Sequence, residues 1–267
     1  MSIKKIALFF FLLVSFLSCN TENKKIVKQN IKEKSSKTTE LSKAQVILNK
    51  AIATHGGNLY NRAEYSFVFR NNKYIFKNDG INYKYEKYSQ KGDTLIQDIL
   101  DNNKFSRTIN SKRIELSKED ISKYTAALNS VIYFATLPNK LNDNAVNKTY
   151  IGETNIKSKD YNIIEITFNE ENGGEDHDDE FYYWINKNNN KIDYIAYNYK
   201  VNKGGVRFRS AYNTRVIDGI TFQDYINYKA EVGTPLKELP KLYEAGKLKE
   251  LSKIKTENII NLNNKQQ

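Results

Sequence analysis

One cysteine, Cys19, stands in the 267 residues, so the chain can form no internal disulfide. No disulfide framework can hold this fold. Only two histidines, His55 and His177, are present, which leaves few nucleophile–base pairs of the Ser–His or Cys–His kind. Zinc would need more nitrogen or sulfur ligands than these residues supply. The sequence has no glycine-rich phosphate loop, no Gly-x-Ser-x-Gly elbow, no His-Glu-x-x-His run and no Cys-x-x-Cys pair. Paired carboxylates remain open as a catalytic arrangement, because their geometry is spatial rather than sequential. No apolar run reaches the roughly 20 residues a membrane-spanning helix needs.

What is present begins at the N-terminus. Lys4 and Lys5 precede the apolar run 6–17, and small Ser18 precedes Cys19. This is the layout of a secretory signal. A cut just before a cysteine resembles the bacterial lipoprotein type, in which the thiol is acylated. Phe16 and Leu17 stand where the commonest lipobox has Leu and a small residue. The expectation is a signal peptide over 1–18 and lipidation at Cys19. The protein would then be anchored to the outer membrane of a bacterial cell envelope, facing the periplasm or the cell surface. Each buried CH₂ of an acyl chain contributes about 0.8 kcal/mol, and two or more chains give a stable anchor.

Residues 20–43 have no apolar periodicity and are rich in Lys, Asn, Ser and Thr. Such a segment cannot bury enough apolar surface to offset its ordering entropy. With Cys19 it reads as a lipidated, flexible, basic tether over 19–43. A single domain over 44–262 and a disordered tail over 263–267 complete the division. The formal charge is +11, part of it in the signal and tether. The mild excess left on the body reads as solvated lysine, and no nucleic-acid partner is expected. Basic residues beside a lipid anchor can lean on anionic headgroups, about 1 kcal/mol each near the surface.

The body opens on one helix. Ala44, Ile47, Leu48, Ala51 and Ile52 form a single apolar stripe, with Ser42 before it as N-cap and Gly56 and Gly57 after it. His55 reads either as a C-terminal helix residue or as a catalytic base. The period then changes to two. Tyr65, Phe67 and Phe69 alternate, as do Tyr74 and Phe76, then Tyr83 and Tyr85, with Asn- and Gly-rich turns between the runs. A helical insert follows, capped by Ser117, with Ile121, Tyr124, Leu128, Val131 and Ile132 on one stripe and Pro138 beyond its end. Strands resume from 149 to 228. A short helix or pair of turns is expected within 234–247, and one last strand over 248–262. About eleven strands and two or three helices make an α+β domain. The expected form is an antiparallel sheet curved around a helix, with its concave side aromatic.

Several stretches together resemble a family of uncharacterised bacterial lipoproteins. They are the helix ending in His55-Gly56-Gly57, the stretch 128–134, Leu137-Pro138, Leu141-Asn142-Asp143, Thr167-Phe168-Asn169, the stretches 179–184 and 204–209, and Ala211-Tyr212-Asn213. In layout that family is similar to the LolA/LolB lipoprotein-carrier superfamily. The resemblance implies an incomplete antiparallel barrel, helices plugging its open side and an apolar cavity for acyl chains. Likeness of fold bears only weakly on activity.

Three constellations can carry chemistry. The stretch 170–180 holds seven carboxylates and one imidazole. It reads either as a solvated hairpin or as a weak cation site around Glu175, Asp176, His177, Asp178 and Asp179, because carboxylate oxygens suit hard cations. Arg207, Arg209 and Arg215 follow Gly204-Gly205, and Arg207 and Arg209 share one strand face. They either pair with carboxylates across strands or bind an anionic group. The aromatic residues Tyr65, Phe67, Phe69, Tyr74, Phe76, Tyr83 and Tyr85 are either core or the lining of a ligand cavity. The expectation that follows is a monomeric, lipid-anchored binding module. It holds a lipid or other hydrophobic small molecule, with no cofactor and no catalytic residue. A structural or partner-binding envelope protein and a hydrolytic enzyme are the alternatives.

Overall fold

The computed structural model describes residues 41–169, 179–200 and 204–263. The signal segment, Cys19, residues 20–40 of the tether, the cation-site candidates Glu175, Asp176, His177 and Asp178, and residues 264–267 lie outside the described residues.

Helix α1 spans Lys43–His55, and the Ser42 hydroxyl accepts from the Gln45 amide at 3.2 Å. Gly56 closes it at φ 136°, a backbone conformation that suits glycine. A short 3₁₀ segment, Gly57–Arg62, leads into the first sheet. Six strands then follow as a meander: β1 (Glu64–Phe69), β2 (Asn72–Asp79), β3 (Asn82–Lys91), β4 (Thr94–Asp101), β5 (Lys104–Ile109) and β6 (Lys112–Ile114). Two-residue turns join several of them with both residues at positive φ: Arg70-Asn71, Asn102-Asn103 and Asn110-Ser111. Such turns match the twist of paired strands, and asparagine tolerates the left-handed region better than most residues.

Helix α2 (Lys118–Ala135) leaves this sheet, its first turn capped by the Ser117 hydroxyl. The second sheet follows with β7 (Val146–Ile156), β8 (Lys159–Phe168), β9 (Phe181–Asn186), β10 (Ile192–Tyr199), β11 (Gly205–Ile217) and β12 (Ile220–Ala230). A 3₁₀ turn and the short helix α3 (Leu239–Glu244) precede β13 (Lys249–Ile254) and β14 (Glu257–Asn261).

Each sheet has seven antiparallel strands and neither closes. The orders are β14-β1-β2-β3-β4-β5-β6 and β13-β12-β11-β10-β9-β8-β7. The architecture is therefore α+β, with open antiparallel sheets and helices laid against them. Two features differ from the sequence expectation. Among the described residues the strands number fourteen in two sheets, rather than about eleven in one. The run 248–262 is two strands: β13 pairs with β12, whereas β14 pairs with β1. The switch falls at Thr256, whose amide donates to the buried Asp224 carboxylate at 3.0 Å instead of to a neighbouring strand. Register shifts within β1, β7, β10, β11 and β12 bend the strands, as bulges do.

Three apolar clusters form the core. One joins the α1 stripe to Ile164, Ile166, Tyr183, Ile185 and Ile195 on the inner face of the second sheet. A second joins Tyr65, Phe67, Tyr74, Phe76, Tyr85 and Leu100 of the first sheet to Leu128 and Ile132 of α2, and also to Ile220 and Phe222 of β12. That second cluster links the two sheets. The third covers the outer face of the second sheet, where Trp184, Tyr194 and Phe208 lie under Leu236, Leu239 and Tyr243. With both faces buried, β9 and β10 lose the apolar–polar alternation, and they read as nearly unbroken apolar runs (FYYWIN, IDYIAYNY). Among the described residues no helix is long and apolar enough to cross a membrane.

Candidate functional site: an aromatic interior under helix α2

The seven sequence-nominated aromatic residues all sit on the first sheet. Pairing puts Tyr65 opposite Phe76, Phe67 opposite Tyr74, and Phe76 opposite Tyr85, so their side chains share one face. Tyr65 and Phe76 stack with centroids 5.7 Å apart, and Phe67 and Tyr74 at 5.5 Å. Five of the seven are buried in the cluster beneath α2; Phe69 and Tyr83 pack at its margin. Tyr65 alone also lines a cleft of about 490 Å³, with Leu59, Ala63, Ile220, Asp218 and Asn261 among its walls. The Tyr65 hydroxyl donates to the Ile217 carbonyl at 3.1 Å, and its ring lies 5.5 Å from that of Phe222.

Helix α2 is the cover of this face, and it is lightly packed. Of its 18 residues only Leu128 and Ile132 are fully buried, both in the second half. The first half is held at Tyr124, whose ring receives the Arg107 guanidinium at 3.5 Å and lies 6.2 Å from Phe105. Its last turn reaches the second sheet. The Tyr133 and Tyr183 hydroxyls lie 3.1 Å apart, and Phe134 packs against Tyr197 at 5.7 Å. One helix thus touches the aromatic faces of both sheets.

The three sequence-nominated arginines have different surroundings. Arg215 pairs with Asp224 at 2.9 Å and also donates to Thr256, so it fastens the point where the chain changes sheets. Arg207 is half-buried, donates to the Val206 carbonyl and the Tyr199 hydroxyl, and lies 5.0 Å over the Tyr199 ring. The Tyr199 ring in turn lies directly over Gly205, where a Cβ would fall 2.4 Å from it. Arg209 is 7% exposed. Its guanidinium lies 3.8 Å from the Phe134 ring and 5.1 Å from the Tyr197 ring, and it donates to the Tyr197 hydroxyl at 2.8 Å. Arg207 and Arg209 therefore share a face of β11, as the sequence indicated, but this face belongs to the second sheet and not to the one that carries the seven aromatics.

Sequence reasoning missed Phe134, Tyr183, Tyr197 and Tyr225, the rings around Arg209. Burial pushes the Tyr183 and Tyr225 phenols up in pKa, while Arg209 pulls both in the other direction. Period-two spacing of Phe181, Tyr183 and of Tyr197, Tyr199 was the available signal.

His55 is buried at the C-terminal end of α1. Its Nδ1 lies 2.8 Å from the Ala51 carbonyl and its Nε2 lies 2.9 Å from Gln223 Oε1. These contacts tie α1 to β12. Burial lowers the imidazole pKa and outweighs the two hydrogen bonds that favour its cation. Of the acidic candidates only Asp179 is described. Among the described residues no group of three His, Cys, Asp or Glu side chains is placed to hold a metal ion.

The fold and this interior define an α+β protein with an open antiparallel half-barrel whose aromatic side is covered by a helix. The chain belongs to the family of unknown function DUF6503, whose model matches residues 4–256. Among solved structures it is similar to a LolA superfamily protein from Nitrosomonas europaea, at 13% identity and a TM-score of 0.48, over 82% of this chain and 93% of that one. It is also similar to a DUF1329 family protein from Desulfovibrio piger, at 14% identity and a TM-score of 0.45, over 83% of this chain and 94% of that one. A comparison with curated proteins found no match.

Proposed function

We propose that this chain is a lipid-anchored, monomeric envelope protein that binds a lipid or other hydrophobic small molecule between α2 and the aromatic faces of its sheets. The observation that carries this reading is the light packing of α2. An 18-residue helix lies over a continuous aromatic surface and buries only Leu128 and Ile132 completely. A cover held by so few contacts opens at low cost. The surface under it (Phe67, Tyr74, Phe76, Tyr85) is what an apolar ligand needs. The anchor rests on the sequence around Cys19: acylation there keeps the domain at the outer membrane, and Cys19→Ser releases it into the soluble fraction. The work proposed is binding, with no cofactor and no catalytic residue.

The test locks the cover. Phe105→Cys and Tyr124→Cys, in a Cys19→Ser background, place thiols on β5 and α2 where the native rings pack. Reduced protein is expected to bind the neutral probe N-phenyl-1-naphthylamine with enhanced fluorescence. The oxidised form should lose most of that binding and recover it on reduction. Equal probe binding with the cover locked and free would overturn the reading.

A further inference from the structure

The fold contains three arginines that are largely withdrawn from water on or beside its packed faces, and two of them have a carboxylate. Arg107 grips Asp98 with two bonds, 2.6 and 2.9 Å. Arg215 pairs with Asp224. Arg209, the most buried of the three, has none: among the described residues no carboxylate lies within ion-pair distance of it. Its Nε is buried without a hydrogen-bond partner, and the Tyr197 hydroxyl takes one Nη2 proton. Asn227 stands directly opposite it on β12, and the Asn227 Oδ1 is likewise buried and unpartnered. A guanidinium does not lose its proton in a protein, so Arg209 carries a full charge there. Two aromatic faces offset part of the desolvation cost, and they leave the charge without a counter-ion.

We propose that Arg209, with the side-chain amide of Asn227 beside it, binds the anionic headgroup of an amphiphile, a carboxylate or a phosphate. The apolar chain of that ligand lies along the aromatic surface under α2. The inference rests on the binding function proposed above and names its ligand class. The guanidinium fork matches both oxyanions, and the Nε–H, buried without a partner, is the donor free to meet one. A half-turn of the Asn227 amide presents its Nδ2–H, in place of the unpartnered Oδ1, as a further donor on the same face. Phe134, the ring that caps Arg209 at 3.8 Å, belongs to α2, so lifting the cover uncovers apolar surface and charge together. Arg207, two residues along the same face, adds a second cation nearer the solvent.

A matched set of C12 compounds tests this on the full chain carrying Cys19→Ser: dodecanoate, dodecyl phosphate and dodecanol, each displacing N-phenyl-1-naphthylamine at pH 8. At least one of the two anions is expected to bind about tenfold or more tighter than the alcohol, as a charge-assisted hydrogen-bond pair predicts. The tighter of the two identifies the headgroup source. Inorganic phosphate alone is expected not to displace the probe; displacement as strong as by dodecyl phosphate would overturn the amphiphile in favour of a small-anion site. Equal binding of all three compounds overturns the headgroup proposal and leaves the binding function standing. Binding of none overturns both.

Asn227→Asp provides the variant that keeps the fold. It is isosteric and sets a carboxylate opposite Arg209. Its melting temperature is expected to hold or rise, and the preference for the anion over dodecanol to fall to near one. An unchanged preference in Asn227→Asp would overturn the proposal, because the guanidinium would then be shown not to read the headgroup.

Discussion

At the residue scale, the fate of each arginine follows from its partner. Removing one member of a buried pair leaves the other charged and dry, at a cost of about 3–5 kcal/mol. Arg107→Met, which leaves the buried Asp98 only its longer contact to Lys87 at 4.0 Å, is therefore expected to destabilise the protein by up to about that much in urea denaturation. Arg209→Met removes a cation that has no counter-ion, and it is expected to leave stability unchanged within about 1 kcal/mol or to raise it. The two substitutions are chemically identical, so a comparison of their urea midpoints isolates the pairing. His55 gives a second test. Its folded pKa lies below the unfolded value of about 6.5, so between those two values the unfolded chain binds a proton that the folded chain refuses. Stability is full above about pH 7 and declines as pH falls through that window. His55→Gln is expected to flatten the fall in urea midpoint between pH 7.5 and 5.5, while His177 contributes equally to both proteins. Cross-strand pairing was one reading of the sequence, but which arginine has a carboxylate was not legible there. Arg207, Arg209 and Arg215 looked alike as a basic cluster, and their partners are set by register across β10, β11 and β12.

At the element scale, α2 is lightly secured for a helix of 18 residues. The Ser117 cap and the stripe through Leu128 and Ile132 made the helix readable from sequence, because both signals are local. Its loose seating was not readable, since the stripe does not say how deep each residue sinks. Amide hydrogen exchange is expected to be fastest in residues 119–127 and slower in 128–135, where the buried pair lies. Ser117→Ala removes an N-cap at a cost of roughly 0.5–2 kcal/mol. It is expected to speed exchange in the first half of α2, with little effect on the second sheet. The strands of the first sheet were read from period two and its Asn-rich turns. The last run, 248–262, was misread as one strand. No Gly or Pro marks the break, and what interrupts the run is Asp224, a side chain more than thirty positions earlier that holds the Thr256 amide.

At the scale of the whole molecule, the two sheets are joined through one shared core and two crossings of the chain, the first through α2 and the second after β13. Phe222 of β12 packs on Tyr65 of β1, and the two residues after β13 carry the chain from the second sheet to the edge of the first. Sequence periodicity disclosed that the domain is antiparallel. It could not disclose that the edge is finished by the final strand, because nothing local in 257–261 names β1 as its partner. The Glu64 amide donates to the Asn263 side chain across a separation of 199 positions, and β14 lies against β1 beside it. The order of synthesis then matters. The first sheet has made all its hairpins long before β14 exists, and β1 presents a row of unpaired backbone groups for that whole interval. Closing so long a loop is slow. A chain that emerges N-terminus first must therefore keep this edge from pairing with another copy until its last strand has been made.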